Sequence, residues 1–140
     1  MEDKYINRLR TGKFEMDSAV TWQDAVFTVT AENTNVGNVS VQLKDGNGNN
    51  LTNTAVVDLY ISNTAGGVEA ATGPDGTVVI GTDGVLINTI VTKKNYRIQS
   101  DSTGLFDLDI TETGTASFYV NLIHPVTGKI SSSAVMTFAA

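Results

Sequence analysis

Three acidic side chains lie close together in the sequence and are candidates for acid–base chemistry: Asp107, Asp109 and Glu112. Paired carboxylates can divide the roles of general acid and general base when their environments differ. On an extended strand, however, Asp107 and Asp109 would share one face about 7 Å apart, where nothing desolvates either carboxylate. We therefore predict a solvated strand face here rather than a catalytic pair.

A second group of oxygen-bearing side chains resembles the beginning of a calcium-binding loop. Asp45, Asn47 and Asn49 occupy alternate positions. An EF-hand loop also needs a bidentate carboxylate at its twelfth position and helices on both sides. The twelfth position here is Val56, and the flanking residues alternate as strands do. Because the intervening residues are glycines, we predict a plain turn and no metal site.

Other forms of catalysis lack local support in the sequence. His124 is the single histidine and precedes Pro125 in a predicted loop. A serine nucleophile needs a base and an orienting acid, but the chain has no G-x-S-x-G motif and no cysteine. Neither of the two glycine-rich phosphate-binding patterns is present. We therefore predict no enzymatic activity and no cofactor.

Size and charge narrow the class of protein further. A chain of 140 residues corresponds to about one domain. Its formal net charge of -6 argues against nucleic acid as a partner, because phosphate binding requires clustered Lys and Arg. The residues after Met1 are charged where a secretory signal would be apolar, and the apolar runs are too short to span a bilayer. We expect a soluble protein with no export signal and no membrane contact.

The amino-terminal residues differ from the rest of the chain in charge. Four of the nine Lys and Arg residues fall within the first 13 positions. We predict that residues 1–24 form an arm or adaptor and that residues 25–140 form the folded domain. Since Arg and aromatic side chains often anchor interfaces, the candidate partner-binding residues are Lys4, Tyr5, Arg8, Arg10, Phe14 and Trp22. For Trp22 the alternative is that it caps the core of the domain.

From Ala25 onward, the sequence alternates between apolar and polar residues with the period of a β-strand. Short alternating runs separated by Gly, Asp and Asn turns indicate a sandwich or a barrel. The alternation favours an antiparallel sheet with one wet face. After the alternation of Phe27 and Val29 with Thr28 and Thr30, the predicted strands cover residues 39–44, 55–62, 77–80, 85–92, 96–100, 105–111, 116–123 and 133–138.

Two of these segments resemble a known family. The run VQLKDGNGN at residues 41–49 resembles the V-x-L-x-D-x-x-G-N strand and turn of bacterial Ig-like domains of the invasin and intimin type. The run SDSTGLFDLDITETGTASFYV at residues 100–120 is similar to a second stretch of that family. The resemblance covers about residues 27–138. It implies an all-β, immunoglobulin-like antiparallel β-sandwich with an N-terminal arm, in which residues 39–51 form the first hairpin.

The whole chain also resembles small Ig-like proteins that decorate the heads of tailed bacteriophages. The matching segments include LKDGNG at 43–48, LYIS at 59–62, ATGPDGTVVIGTDGVL at 71–86 and AVMTFA at 134–139. The arm has no recognised counterpart.

This second resemblance implies a non-enzymatic virion structural protein. Its expected role is that of a capsid decoration (cement) protein, which is assembled in the host cytoplasm and binds the major capsid protein on the outer head surface. A homotrimer is expected by analogy, because decoration sites lie at symmetry axes. Two alternatives stay open: a carbohydrate- or receptor-binding module of a tail, fibre or adhesin, and a structural role in the neck or tail.

Overall fold

The computed structural model describes residues 21–140, which form two antiparallel sheets. The first sheet has the strand order β1-β2-β7-β4 and comprises β1 (Asp24–Asn33), β2 (Val36–Lys44), β4 (Val78–Ile80) and β7 (Leu105–Thr111). The second has the order β10-β8-β3-β6-β5, with β9 also paired to β8. It comprises β3 (Val56–Ser62), β5 (Val85–Val91), β6 (Asn95–Gln99), β8 (Ala116–Ile123), β9 (Ile130–Ser132) and β10 (Met136–Phe138).

The core lies between the two sheets and follows the period of the strands. Along β2, the fully buried Val39, Val41 and Leu43 alternate with partly exposed polar residues. Strand β7 pairs with β2 and contributes Phe106 and Leu108 to the same cluster. The predicted fold class, an all-β antiparallel sandwich, is confirmed; its immunoglobulin-like character stays a prediction.

The hairpin predicted at residues 39–51 forms only next to its turn, where Lys44 pairs antiparallel with Asn50, and it is not the first hairpin of the described domain, because β1 and β2 precede it. The amide of Asp45 donates to the carbonyl of Asn49 at 2.9 Å, so the chain does reverse after β2. The amide of Leu51 then bonds to the carbonyl of Leu43, and its side chain enters the core. Because burying Leu51 draws the chain between the layers, the next strand, β3, joins the opposite sheet. The neighbours of β2 are β1 and β7.

The final predicted strand, 133–138, is also corrected, because the structure has two short strands, β9 and β10, in this region. At the break, the hydroxyl of Ser133 accepts a hydrogen bond from the amide of Val120 at 2.9 Å. That side chain takes the place of a backbone partner and interrupts the regular pairing. Met136 and Phe138 face the core as predicted, whereas Ala134 is exposed.

The folded domain takes in the last residues of the segment assigned to the arm. Strand β1 begins at Asp24, and Trp22 belongs to the core with 3% of its surface exposed. The remainder of the predicted arm, residues 1–20, lies outside the described residues.

Gly84 offers a test of how tightly β5 is joined to the core. Its φ is +94°, and a Cβ added there would lie 2.7 Å from the Cβ of Phe106. We expect Gly84→Ala to lower the free energy of unfolding by about 3 kcal/mol, because backbone strain adds to a clash with the core. Gly48→Ala, at φ +82° in open space, is the control and should cost about 1 kcal/mol. Urea unfolding measures both values, and equal losses would contradict the clash.

Candidate functional site

The sequence analysis predicted that Asp107 lies on a solvated strand face. This prediction is wrong, because the side chain is buried. Only 8% of its surface is exposed, because the loop between β4 and β5 covers it. One carboxylate oxygen accepts hydrogen bonds from the amides of Thr82 and Asp83, both at 2.7 Å. The other accepts from the side-chain amide of Asn38, also at 2.7 Å. The carboxylate is therefore occupied by backbone and amide donors and holds a loop in place.

The backbone of Asp107 binds the same loop. Its carbonyl accepts from the amide of Gly81 at 3.0 Å, and its amide donates to the carbonyl of Asp83 at 3.1 Å. A Cβ at Gly81 would lie 2.1 Å from the Asp107 carboxylate, so glycine is needed for this close approach. Since the loop connects β4 in one sheet with β5 in the other, Asp107 positions the crossover between the two edges.

Asp109 and Glu112 do not complete a catalytic group with Asp107. Asp109 is partly exposed and accepts from the second N–H of the Asn38 amide at 2.7 Å. Glu112 is 7% exposed and accepts from the amides of Asp75 and Gly114, each at 2.9 Å. The prediction that Glu112 belongs to a solvated face is thus also wrong: its carboxylate fastens the residues before β4 to the turn after β7.

His124 is buried beside Trp22 and has a similar structural role. Its Nε2 lies 3.1 Å from the carbonyl oxygen of Trp22, and its Nδ1 accepts from the amides of Val126 and Thr127. Accepting at Nδ1 leaves Nε2 as the donor to Trp22. The two rings meet edge to face with their centroids 5.0 Å apart. His124 thus joins the start of the domain to the β8–β9 loop.

The turn at Asp45 has the hydrogen bonds of a plain turn. One carboxylate oxygen of Asp45 accepts from the amides of Asn47 and Asn49, at 2.8 and 3.0 Å. Across residues 21–140, no three His, Asp or Glu side chains are grouped so that they could hold a metal ion.

Of the predicted partner-binding residues, the structure describes only Trp22. Lys4, Tyr5, Arg8, Arg10 and Phe14 lie outside residues 21–140. Their role in binding a partner stays a prediction.

Trp22 lies in the core, which is the alternative position that the sequence offered. The structure does not test whether it also contributes to a partner contact.

The most distinctive surface among the described residues is the outer edge formed by β5. All seven of its residues are exposed, and five are aliphatic. We call these five the apolar edge: Val85, Leu86, Ile87, Ile90 and Val91. The sequence analysis predicted the strand but missed its exposure. The available signal was a nine-residue run without charge, residues 84–92, bounded by Asp83 and Lys93.

Comparison with known proteins identified no relative: no protein-family model and no curated protein matches the chain. Residues 21–140 contain no helix that is long and apolar enough to cross a membrane.

Replacing Asp107 tests whether its carboxylate holds the crossover. We expect Asp107→Ala to lower the free energy of unfolding by about 3 kcal/mol, because it leaves several buried donors without an acceptor. Asp109→Ala is the matched control and should cost about 1 kcal/mol, since Asp109 accepts a single amide contact. Urea unfolding can be followed by the fluorescence of Trp22, the only tryptophan. Equal losses in the two variants would contradict the assigned role.

Two further carboxylates predict how stability depends on pH. Burial alone would raise the pKa of Asp101, but hydrogen bonds from Leu105 and Thr103 outweigh it and lower that pKa. Hydrogen bonds from Thr113 lower the pKa of Asp75. Because both groups hold protons less tightly in the folded state, they stabilise the fold above the ordinary value of 3.8. That stability is lost as the pH falls from 3.8 through the lower folded values.

We therefore expect Asp75→Asn/Asp101→Asn to lose less stability than the unmodified chain between pH 7 and pH about 3. Urea unfolding at the two pH values measures the difference. An identical loss in both proteins would contradict the contribution of these two groups.

Proposed function

We propose that this chain is a non-enzymatic structural protein of a phage virion, a decoration protein that binds the outer surface of the head. One observation carries the non-enzymatic part of the proposal. The buried acidic and imidazole groups that were candidates for chemistry, Asp107, Glu112 and His124, form hydrogen bonds with backbone amides and carbonyls of neighbouring loops. The resemblance of the sequence to phage head proteins supports the more specific role.

The architecture suits a protein that docks on a particle. Most of the buried apolar residues of the two sheets form one continuous cluster that includes Trp22. A domain with its own core can fold before it meets its partner. A component added to the outside of a preformed head needs this property. The proposed partner is the major capsid protein, with the basic and aromatic arm residues as the first contact.

Carbohydrate binding, the alternative function, has weaker support. Sugar-binding modules often use exposed aromatic platforms, but most described aromatic side chains are buried: Trp22, Tyr60, Tyr96, Phe106, Phe118 and Phe138. An open cavity of about 500 Å³ lies beside Tyr60 and Glu69 on the second sheet. The Tyr60 hydroxyl donates to the carbonyl of Gly67 at 2.6 Å, and burial raises the pKa of Tyr60. This cavity therefore offers few free polar groups to a sugar.

Mass spectrometry of purified particles tests the proposal directly. The chain should be present in virions of the phage that encodes it, at a copy number proportional to that of the capsid protein. Its absence from purified virions would contradict the proposed function.

Deletion of residues 1–20 tests the arm. Because the described core begins at Trp22, the truncated chain should retain its unfolding midpoint but lose binding to heads stripped of the protein. Trp22→Ala in the full chain is the contrasting variant and should lower the free energy of unfolding by about 4 kcal/mol. Retention of full head binding by the truncated chain would show that the arm is not the contact.

A further inference from the structure

The edges of the two sheets differ in how well they are protected against pairing with another chain. An exposed edge strand is usually kept short, charged or bulged. Strands β4, β9 and β10 have three residues each. The long edge strand β1 carries Asp24 and Glu32 and shows a register shift after Thr30. Strand β5 has seven residues with neither charge nor proline, so only two irregularities in its pairing with β6 protect its edge.

The five side chains of the apolar edge are substantially exposed. Val85 is 57% exposed, Ile87 and Ile90 are each 48% exposed, and Leu86 and Val91 are only slightly less so. Together, the five side chains expose on the order of 400 Å², within the range of the largest patches on typical monomers, which are often functional. A second molecule that covered them would remove this surface from water.

Two irregularities in the pairing of β5 with β6 affect which groups of β5 could contact another molecule. The pairing of β5 with β6 skips one residue between Leu86 and Asn88 and another between Thr89 and Val91. Ile87 and Ile90 therefore lie outside the regular ladder. Because bulges increase the local twist, a continuous ladder of hydrogen bonds to another strand is disfavoured. The contact therefore depends on aliphatic side chains.

We propose that β5 packs antiparallel against β5 of a second copy of this chain, as a two-fold symmetric contact. The charges at the two ends of the strand support a second copy of this chain as the binding partner. When two antiparallel β5 strands are centred on Asn88, Asp83 of one copy lies opposite Lys93 of the other. A parallel arrangement would instead place like charges together. Such a self-complementary patch is what a two-fold interface requires.

The charge at Lys93 is held near the end of the strand. Its ammonium donates to the carbonyl of Asp75 at 2.5 Å, and its backbone adopts a φ of +66° in the turn after β5. At the other end, the amide of Asp83 is bound by the Asp107 carboxylate. Lys93 is thus anchored to the domain through its side chain, and Asp83 is anchored through its backbone. This proposal does not depend on binding to a capsid, and it takes the place of the homotrimer that the resemblance implies.

The mass of the full chain in solution tests the contact. Sedimentation equilibrium should show a dimer, and Ile87→Lys/Ile90→Lys should raise its dissociation constant at least about 100-fold by placing charges in an apolar contact. The matched control, Val68→Lys/Val126→Lys, changes two exposed valines outside β5 and should leave the dimer intact. Circular dichroism and the unfolding midpoint establish that each variant is folded.

A charge exchange tests the antiparallel arrangement. Asp83→Lys and Lys93→Asp should each weaken the dimer by about 5-fold to 10-fold, and the two changes combined should restore it. A monomer at all concentrations, a trimer, or a dimer indifferent to the isoleucine variants would overturn the proposal. Failure of the combined variant to restore the dimer would overturn the antiparallel arrangement. Neither result alters the test of virion binding, which is made on particles.

Discussion

The position of the β4–β5 crossover depends on the hydrogen bonds of the buried Asp107 carboxylate. This carboxylate binds two amides of the loop that carries the chain from β4 to β5, and the backbone of the same residue binds that loop twice more. A buried charge is costly unless it is fully hydrogen-bonded, so the loop and the carboxylate stabilise each other. Gly81 and Gly84 permit the close approach. The two edge strands meet where they do because of this contact.

The same principle explains why several acidic and polar side chains of this domain bind backbone groups of its loops. A β-sandwich places its long connections over the outer faces of its sheets, where their amides lose contact with water and need acceptors. Glu112 supplies acceptors to Asp75 and Gly114, and Asn121 accepts from Gly66 while donating to Ser62. His124 serves the β8–β9 loop. These polar groups determine where the loops lie.

Two groups of residues that could contact other molecules differ in their chemistry. Four of the nine Lys and Arg residues lie within the first 13 positions, whereas five exposed aliphatic residues lie on β5. A decoration protein needs one contact with the particle and gains avidity when copies also contact each other. The charged residues of the arm and the apolar edge differ in chemistry, so under the proposed function they could serve these two purposes separately.

Much of the domain could be predicted from the sequence because strand period and turn residues are local properties. The alternation of Phe106, Leu108 and Ile110 predicted β7 with its bounds, and the glycines near Asp45 predicted the turn. The sequence by itself therefore determined most of the strands, their inward faces and the all-β class, but not the separate strands β9 and β10. Only the tertiary structure decided that β3 joins the other sheet, that Asp107 is covered, and that β5 is left bare. Each of these depends on contacts between distant segments, which no local pattern contains.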